Sequence, residues 1–249
     1  EGFLACGTIG KGRMQEIDVL YEAVVTAITP KTMLGKKVML TAGPTREALD
    51  PVRYLSNYST GKMGYALARE CLRRGAEVTL ISGPCSATMG GMKVNPHLHI
   101  VDVVSAQQMY EAAMTEWKTA DIGILSAAVA DFTPQEVASE KRKKQPGQTQ
   151  MNLCLTLTHD IAKALGELKQ PHQQLVGFAL ETEHEQDNAL QKLNSKRLNM
   201  IVLNSLRDKG AGFGCDTNKV TFLMADGTKK DLPLMDKQEV AVAIVNQLD

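Results

Sequence analysis

The chain has 249 residues, 43% hydrophobic and 22% charged, a balance that excludes a disordered chain and allows one large domain or two small ones. Lys plus Arg and Asp plus Glu both number 28, so net charge is zero and no global field steers the chain toward nucleic acid or an anionic membrane. No apolar run spans a bilayer, the start lacks a signal-peptide pattern, and five scattered cysteines without C-x-x-C spacing support neither zinc nor a disulfide framework; the expected setting is the cytoplasm, with reduced thiols.

In chain order, the first pattern is a helix over residues 15–30, with Ile17, Leu20, Tyr21, Val24, Val25 and Ile28 at helical spacing before Pro30. Six short apolar strands follow: KVMLTAG from Lys37, AEVTLISG from Ala76, LHIVDVV from Leu98, DIGILSAA from Asp121, QLVGFALE from Gln174 and LNMIVLN from Leu198. Helical stretches beginning at Lys62, Ala106, Asp160 and Glu185 alternate with them. Parallel strands need crossover connections, so the expected fold is α/β: a doubly wound, mostly parallel Rossmann-like sheet with helices on both faces. Asp226-Gly227 between two extended segments predicts a late β-hairpin extension, and a last helix is expected from Lys237 to Leu248. The expected division is 1–35, a terminal segment with a linker helix, and 36–249, the α/β domain. Glu1 opens in mid-pattern without a methionine, which reads as a fragment of something longer.

Ligands of open α/β sheets gather at the carboxyl ends of the strands, here the loops after Ala42, Ile81, Ala128, Leu180 and Leu203. The first of these runs from Gly43-Pro44-Thr45 to a helix opening at Ser59-Thr60-Gly61-Lys62-Met63-Gly64, far longer than a dinucleotide-binding turn. Small residues and free N–H groups at that helix start make an anion site; the competing reading is a Ser/Thr cap with glycines for close packing. Neither a P-loop nor a G-x-G-x-x-G turn is present there, which argues against an ordinary ATPase and against a nicotinamide-dependent oxidoreductase. Asp131, after Ser126-Ala127-Ala128, reads either as a strand-end turn acid or as a Mg²⁺ ligand. The run Lys141-Arg142-Lys143-Lys144 reads as a solvated loop or as a cationic flap over phosphate. Phe178 is placed to stack on a base, and Lys192 and Lys196, at i and i+4, face either phosphate or water.

Taken together, AGPTREALDPVRYLSNYSTGKMGYALA, SAAVADF, EKRKK, GFALET and GFGCDTNKV resemble the phosphopantothenoylcysteine synthetase domain of a bacterial bifunctional flavoprotein of coenzyme A biosynthesis. Residues 2–14, GFLACGTIGKGRM, resemble the end of that flavoprotein's decarboxylase half, in which the cysteine matching Cys6 is a proton donor. The resemblance implies that CTP with Mg²⁺ activates the carboxylate of 4'-phosphopantothenate as an acyl-cytidylate, which L-cysteine then discharges; relatives outside the bacteria use ATP. It implies FMN only in the decarboxylase half, which this chain lacks, and a homodimer joined to that half. It carries Asn57 to the acyl intermediate, Lys141 to the closing loop, Asp131 to ribose or Mg²⁺, and Ala127, Ala128, Phe178, Lys192 and Lys196 to the nucleotide. Gly43, Thr45, Ser59, Gly61 and Lys62 complete the expected binding set. Arg142, Thr60, Leu180 and Thr158-His159 depart from the family pattern. The long first loop is then what seats an acyl substrate beside a nucleotide.

Overall fold

Eight strands form the central sheet of the computed structural model, which describes residues 2–248 other than 4–6, 11, 13, 144–145, 182, 206–211 and 213. In chain order they are β1 (Lys37–Ala42), β2 (Glu77–Ser82), β3 (Leu98–Asp102), β4 (Ile122–Leu125), β5 (Gln174–Glu181), β6 (Met200–Ser205), β7 (Val220–Met224) and β8 (Lys229–Asp231). Their order across the sheet is β8-β7-β6-β5-β4-β1-β2-β3. The strands from β6 to β3 run parallel, while β7 and β8 are antiparallel additions. The parallel part is the doubly wound order 3-2-1-4-5-6, as the alternating pattern implies.

Period-two alternation divides the core into two layers. Val38, Leu40 and Ala42 of β1 and Met200 and Val202 of β6 face one side; Met39, Ile201 and Leu203 face the other. After α1 (Ile17–Ile28), the first side is covered by α2 (Lys62–Arg73) and the second by α3 (Ala106–Glu116), α4 (Ile161–Leu168) and α5 (Glu185–Ser195), while α6 (Lys237–Val245) returns to the first. Leu40, Leu67, Leu80 and Ile124 are wholly buried, and each such side chain contributes about 1.5–3 kcal/mol. The late hairpin is present, with Gly227 at φ 87° and its N–H donated to Met224 O at 3.0 Å. β8 carries Lys229, Lys230 and Asp231, all exposed.

One strand boundary is corrected, and α1 packs by a face that its spacing does not name. The apolar stripe of α1 faces outward, with Ile17 78% and Ile28 76% exposed. The helix is anchored instead by Glu22, whose carboxylate meets Arg69 at 3.2 Å and Arg73 at 2.9 Å on α2. Periodicity locates a helix but does not name the face that packs. The fourth strand stops at Leu125, so Ser126–Ala128 is loop, joined to the first strand's loop by a single bridge between Pro44 and Ala128. No helix among the described residues is long and apolar enough to cross a membrane.

Candidate functional site

Strand order reverses between β1 and β4, so their outgoing loops part there and leave a crevice. Gly43 turns the chain out of β1 at φ 76°, and a Cβ on it would come within 2.9 Å of Gly83 O, so both conformation and space require glycine. Ala128 donates its N–H to Gly43 O at 2.9 Å, which ties the two loops together. Thr45 lies beneath this junction: it is fully buried, and its hydroxyl accepts from the Ala130 N–H at 3.0 Å. The structure therefore makes Thr45 a brace for the loop rather than a group facing ligand.

The long excursion is a small hairpin that the sequence pattern did not reveal, Arg46–Ala48 paired with Tyr54–Ser56. Its turn is organised by Asp50, whose side chain is fully buried beside Arg53 at 2.5 Å. The Arg53 guanidinium, helped by backbone N–H donors, holds the Asp50 carboxyl far below the usual carboxylate range despite burial. This pair grips the main chain of Arg142 from both sides: Asp50 accepts its N–H at 3.2 Å and Arg53 donates to its carbonyl at 2.8 Å. The start of the basic loop is thus docked on the excursion, with Lys141 exposed beside the anchor. Farther along, Asn57 donates through Nδ2 to Ala128 O at 2.9 Å and Val129 O at 3.3 Å, joining the excursion to the β4 loop.

Two cavities meet at Ala127, Ala128, Phe178 and Leu180. The larger, about 590 Å³, also takes in Asn57, Asp131, His159, Lys192 and Lys196. Lys192 in the last turn of α5 and Lys196, its C-cap just past the helix end, both line this cavity, but each already has a carboxylate: Glu181 at 2.6 Å and Asp160 at 2.9 Å. Asp160 also caps α4 by accepting the Lys163 N–H at 3.0 Å. Burial works to raise its pKa, yet that hydrogen bond and Lys196 leave it below the ordinary value. The Thr158-His159 departure gains an account here. Thr158 Oγ1 donates to Ala130 O at 2.6 Å, and the His159 ring stacks on Tyr110 with centroids 4.6 Å apart.

The smaller cavity, about 140 Å³, opens against the amino end of α2 and includes Ser59, Gly61, Lys62, Asn204, Asn218 and Lys237. Gly61, at φ 78°, ends the loop without a side-chain cap, which leaves first-turn N–H groups facing the hollow. Gly64 serves packing, since a Cβ there would lie 2.5 Å from the Ala42 Cβ, as the close-packing reading of this turn expects. Lys62 reaches Asp216 at 2.6 Å. Lys237 is 7% exposed, donates to the carbonyls of Gly212 and Cys215, and has no carboxylate ion-pair partner among the described residues. Burial pushes its pKa down. Asn204 and Asn218 each hold a buried Oδ1 without a hydrogen-bond partner.

The structure thus brings Asn57, Ala127, Ala128, Asp131, Phe178, Lys192 and Lys196 around one cavity and Ser59, Gly61 and Lys62 around its neighbour. Gly43 shapes the wall from below, Lys141 borders neither cavity, and Cys6 lies outside the described residues. Sequence reasoning missed Asp160, Glu181, Asn204, Asn218 and Lys237, although each lies at a strand end or a helix start. A third hollow, about 430 Å³, is lined by Lys37, Glu77, His97, His99 and Glu116 at the amino ends of β1, β2 and β3, the end of the sheet opposite the crevice.

Residues 33–249 match the family described as DNA/pantothenate metabolism flavoprotein, C-terminal domain. The chain is 47% identical over 251 residues to the coenzyme A biosynthesis bifunctional protein CoaBC of Bacillus subtilis, covering 100% of this chain and 60% of that protein. It is also 45% identical over 252 residues to a cysteine/cysteine sulfinic acid decarboxylase of an unknown prokaryotic organism, covering 99% of this chain and 68% of that one. A crystal structure of the C-terminal domain of a CoaBC protein superposes with a TM-score of 0.71 at 41% identity, covering 87% of this chain and 95% of that domain. The chain spans about 60% of the length of the CoaBC relative.

Proposed function

From the premise that the chain belongs to the DNA/pantothenate metabolism flavoprotein C-terminal domain family, we propose that it ligates 4'-phosphopantothenate to L-cysteine at the expense of CTP. The observation that carries this reading is the pair of cavities sharing one wall at the switch point, room for a nucleotide and an acyl substrate to meet. It favours ligation over the decarboxylation in the name of the second relative. Orphaned acceptors on Asn204 and Asn218 beside open helix N–H donors suit a ligand bearing both hydroxyl or amino groups and phosphate oxygens.

In the first step a carboxylate oxygen bonds to the α-phosphorus and the α–β bridging bond breaks, releasing pyrophosphate. In the second the cysteine amine bonds to the acyl carbon, the acyl–phosphate bond breaks, CMP leaves and the amine proton passes to solvent. Lys141 would close over the leaving pyrophosphate from its anchor at Arg142, where a loop cation stabilises developing charge. Asn57 would hold the acyl end against the Ala128–Val129 loop. Among the described residues no cluster of three or more His, Cys, Asp or Glu forms a metal cage, whereas Asp131 is an exposed single carboxylate on the larger cavity. That donor set fits a Mg²⁺ brought by the triphosphate, which would supply charge neutralisation. A homodimer and attachment to a decarboxylase half belong to the same proposal.

The test is to incubate the chain with CTP or ATP, with and without phosphopantothenate and cysteine. CMP and pyrophosphate should appear only when phosphopantothenate is present. CMP from CTP alone at a comparable rate would point to a hydrolase, and turnover confined to ATP would replace the base.

A further inference from the structure

The smaller cavity contains a cation that the reading above does not use. Lys237 is the first residue of α6 and lies outside every family motif quoted above, yet its side chain lines the same 140 Å³ as the amino end of α2. It is 7% exposed and bonded only to backbone carbonyls of Gly212 and Cys215 among the described residues. A buried ammonium is costly unless an opposite charge accompanies it. The uncapped first turn of α2 adds positive potential through its dipole and open N–H groups, while Lys62 at its edge is already paired with Asp216 at 2.6 Å. Asn218, 3% exposed with an unpartnered Oδ1, shows independently that the cavity is built for a polar occupant.

Resting on the nucleotide reading, we propose that Lys237 is a phosphate-binding residue, its ammonium meeting a phosphate group of the nucleotide seated on the first turn of α2. The carbonyls of Gly212 and Cys215 orient the ammonium, and Asp216 and Asp236 act on it only from beyond ion-pair distance, so a bound anion would be its direct counter-charge. The competing explanation is that Lys237 merely ties Gly212 and Cys215 to α6.

The two explanations part in Lys237→Met, which keeps the length of the stem and removes the charge. Calorimetric titration of the 249-residue chain with pyrophosphate, CTP and cytidine should show pyrophosphate and CTP weakened by about tenfold or more in the variant, with cytidine unchanged. Melting of the ligand-free variant should be unchanged or higher. A variant that melts lower yet binds pyrophosphate and CTP as the wild type does would overturn the proposal and leave a staple. Should Lys237→Met not fold, the wild-type chain still decides: the Lys237 ε-methylene NMR signals should shift on saturation with pyrophosphate, and signals that stay in place defeat the proposal. A wild type that binds neither CTP nor pyrophosphate would bring down the nucleotide reading itself, an outcome distinct from wild-type binding that Lys237→Met leaves intact.

Discussion

The two cavities share a wall but treat positive charge in opposite ways. Around the larger one, Lys192 and Lys196 are already matched by Glu181 and Asp160, so an incoming phosphate must compete with carboxylates. Around the smaller one, Lys62 is paired with Asp216, but the buried Lys237 has only carbonyl hydrogen-bond partners among the described residues and the first turn of α2 is open. Paired lysines give position and selectivity at little net affinity, whereas a cation held by neutral dipoles keeps its charge for the ligand. On the proposed reading, this contrast would give the smaller cavity affinity for phosphate and the larger one placement of the reacting groups.

The largest effect is expected where placement matters most. Asn57→Asp removes two donors aimed at Ala128 and Val129 carbonyls and sets a carboxylate against them. CTP-dependent pyrophosphate release should persist, while transfer to cysteine falls roughly a hundredfold, about 3 kcal/mol. Mass spectrometry should then find accumulated acyl-cytidylate. Discharge by cysteine at the wild-type rate would reduce Asn57 to loop architecture and erase the placement half of the contrast.

A smaller effect is expected from Glu181→Gln, which releases Lys192 from its 2.6 Å partner. Because that lysine is half exposed, CTP affinity should rise by only about threefold, measured by titration. A loss of affinity would mean that the carboxylate orients Lys192 for the ligand instead of competing with it.

The smallest effect concerns stability and pH. The folded pKa of Asp160 lies below its ordinary value of 3.8, so its contribution is fully present above that value and is lost as pH falls through the depressed one. Asparagine also caps helices well, so Asp160→Asn isolates the charge from the cap. Urea midpoints of the two proteins should differ by a constant amount at neutral pH and converge below about pH 4. A difference that persists unchanged into acid would show that the Lys196 pair contributes nothing to the fold.

Much of this was legible in the sequence because strong periodicity has a single physical meaning. QLVGFALE is β5 over its whole length, since a buried parallel strand reads as a continuous apolar run. α1 shows the limit. Its apolar stripe was visible, but the buried Glu22 that anchors it depends on two arginines of α2, and no local pattern encodes a partner so far along the chain. The site divides in the same way. Gly43 and Gly61 announced themselves because a positive φ restricts residue choice, whereas Lys237 looks in sequence like any first-turn residue of a helix. Its burial arises only when Gly212, Cys215 and α2 come together around it. Thr45 fails as a ligand group for the converse reason: a hydroxyl beside a glycine turn looks available until the neighbouring loop covers it.

The late hairpin has a bearing on how molecules of this chain meet one another. A sheet ends in a row of unpaired backbone groups, which can template another strand and start a polymer. At one border this row belongs to β8, three residues long and charged at every position, a poor seed for fibril growth. The opposite border is β3, longer and bearing Ile100 and Val101. Any accidental strand-to-strand association, in a crowded cell or a concentrated tube, should therefore begin at β3, and a single lysine introduced there is the change that would suppress it.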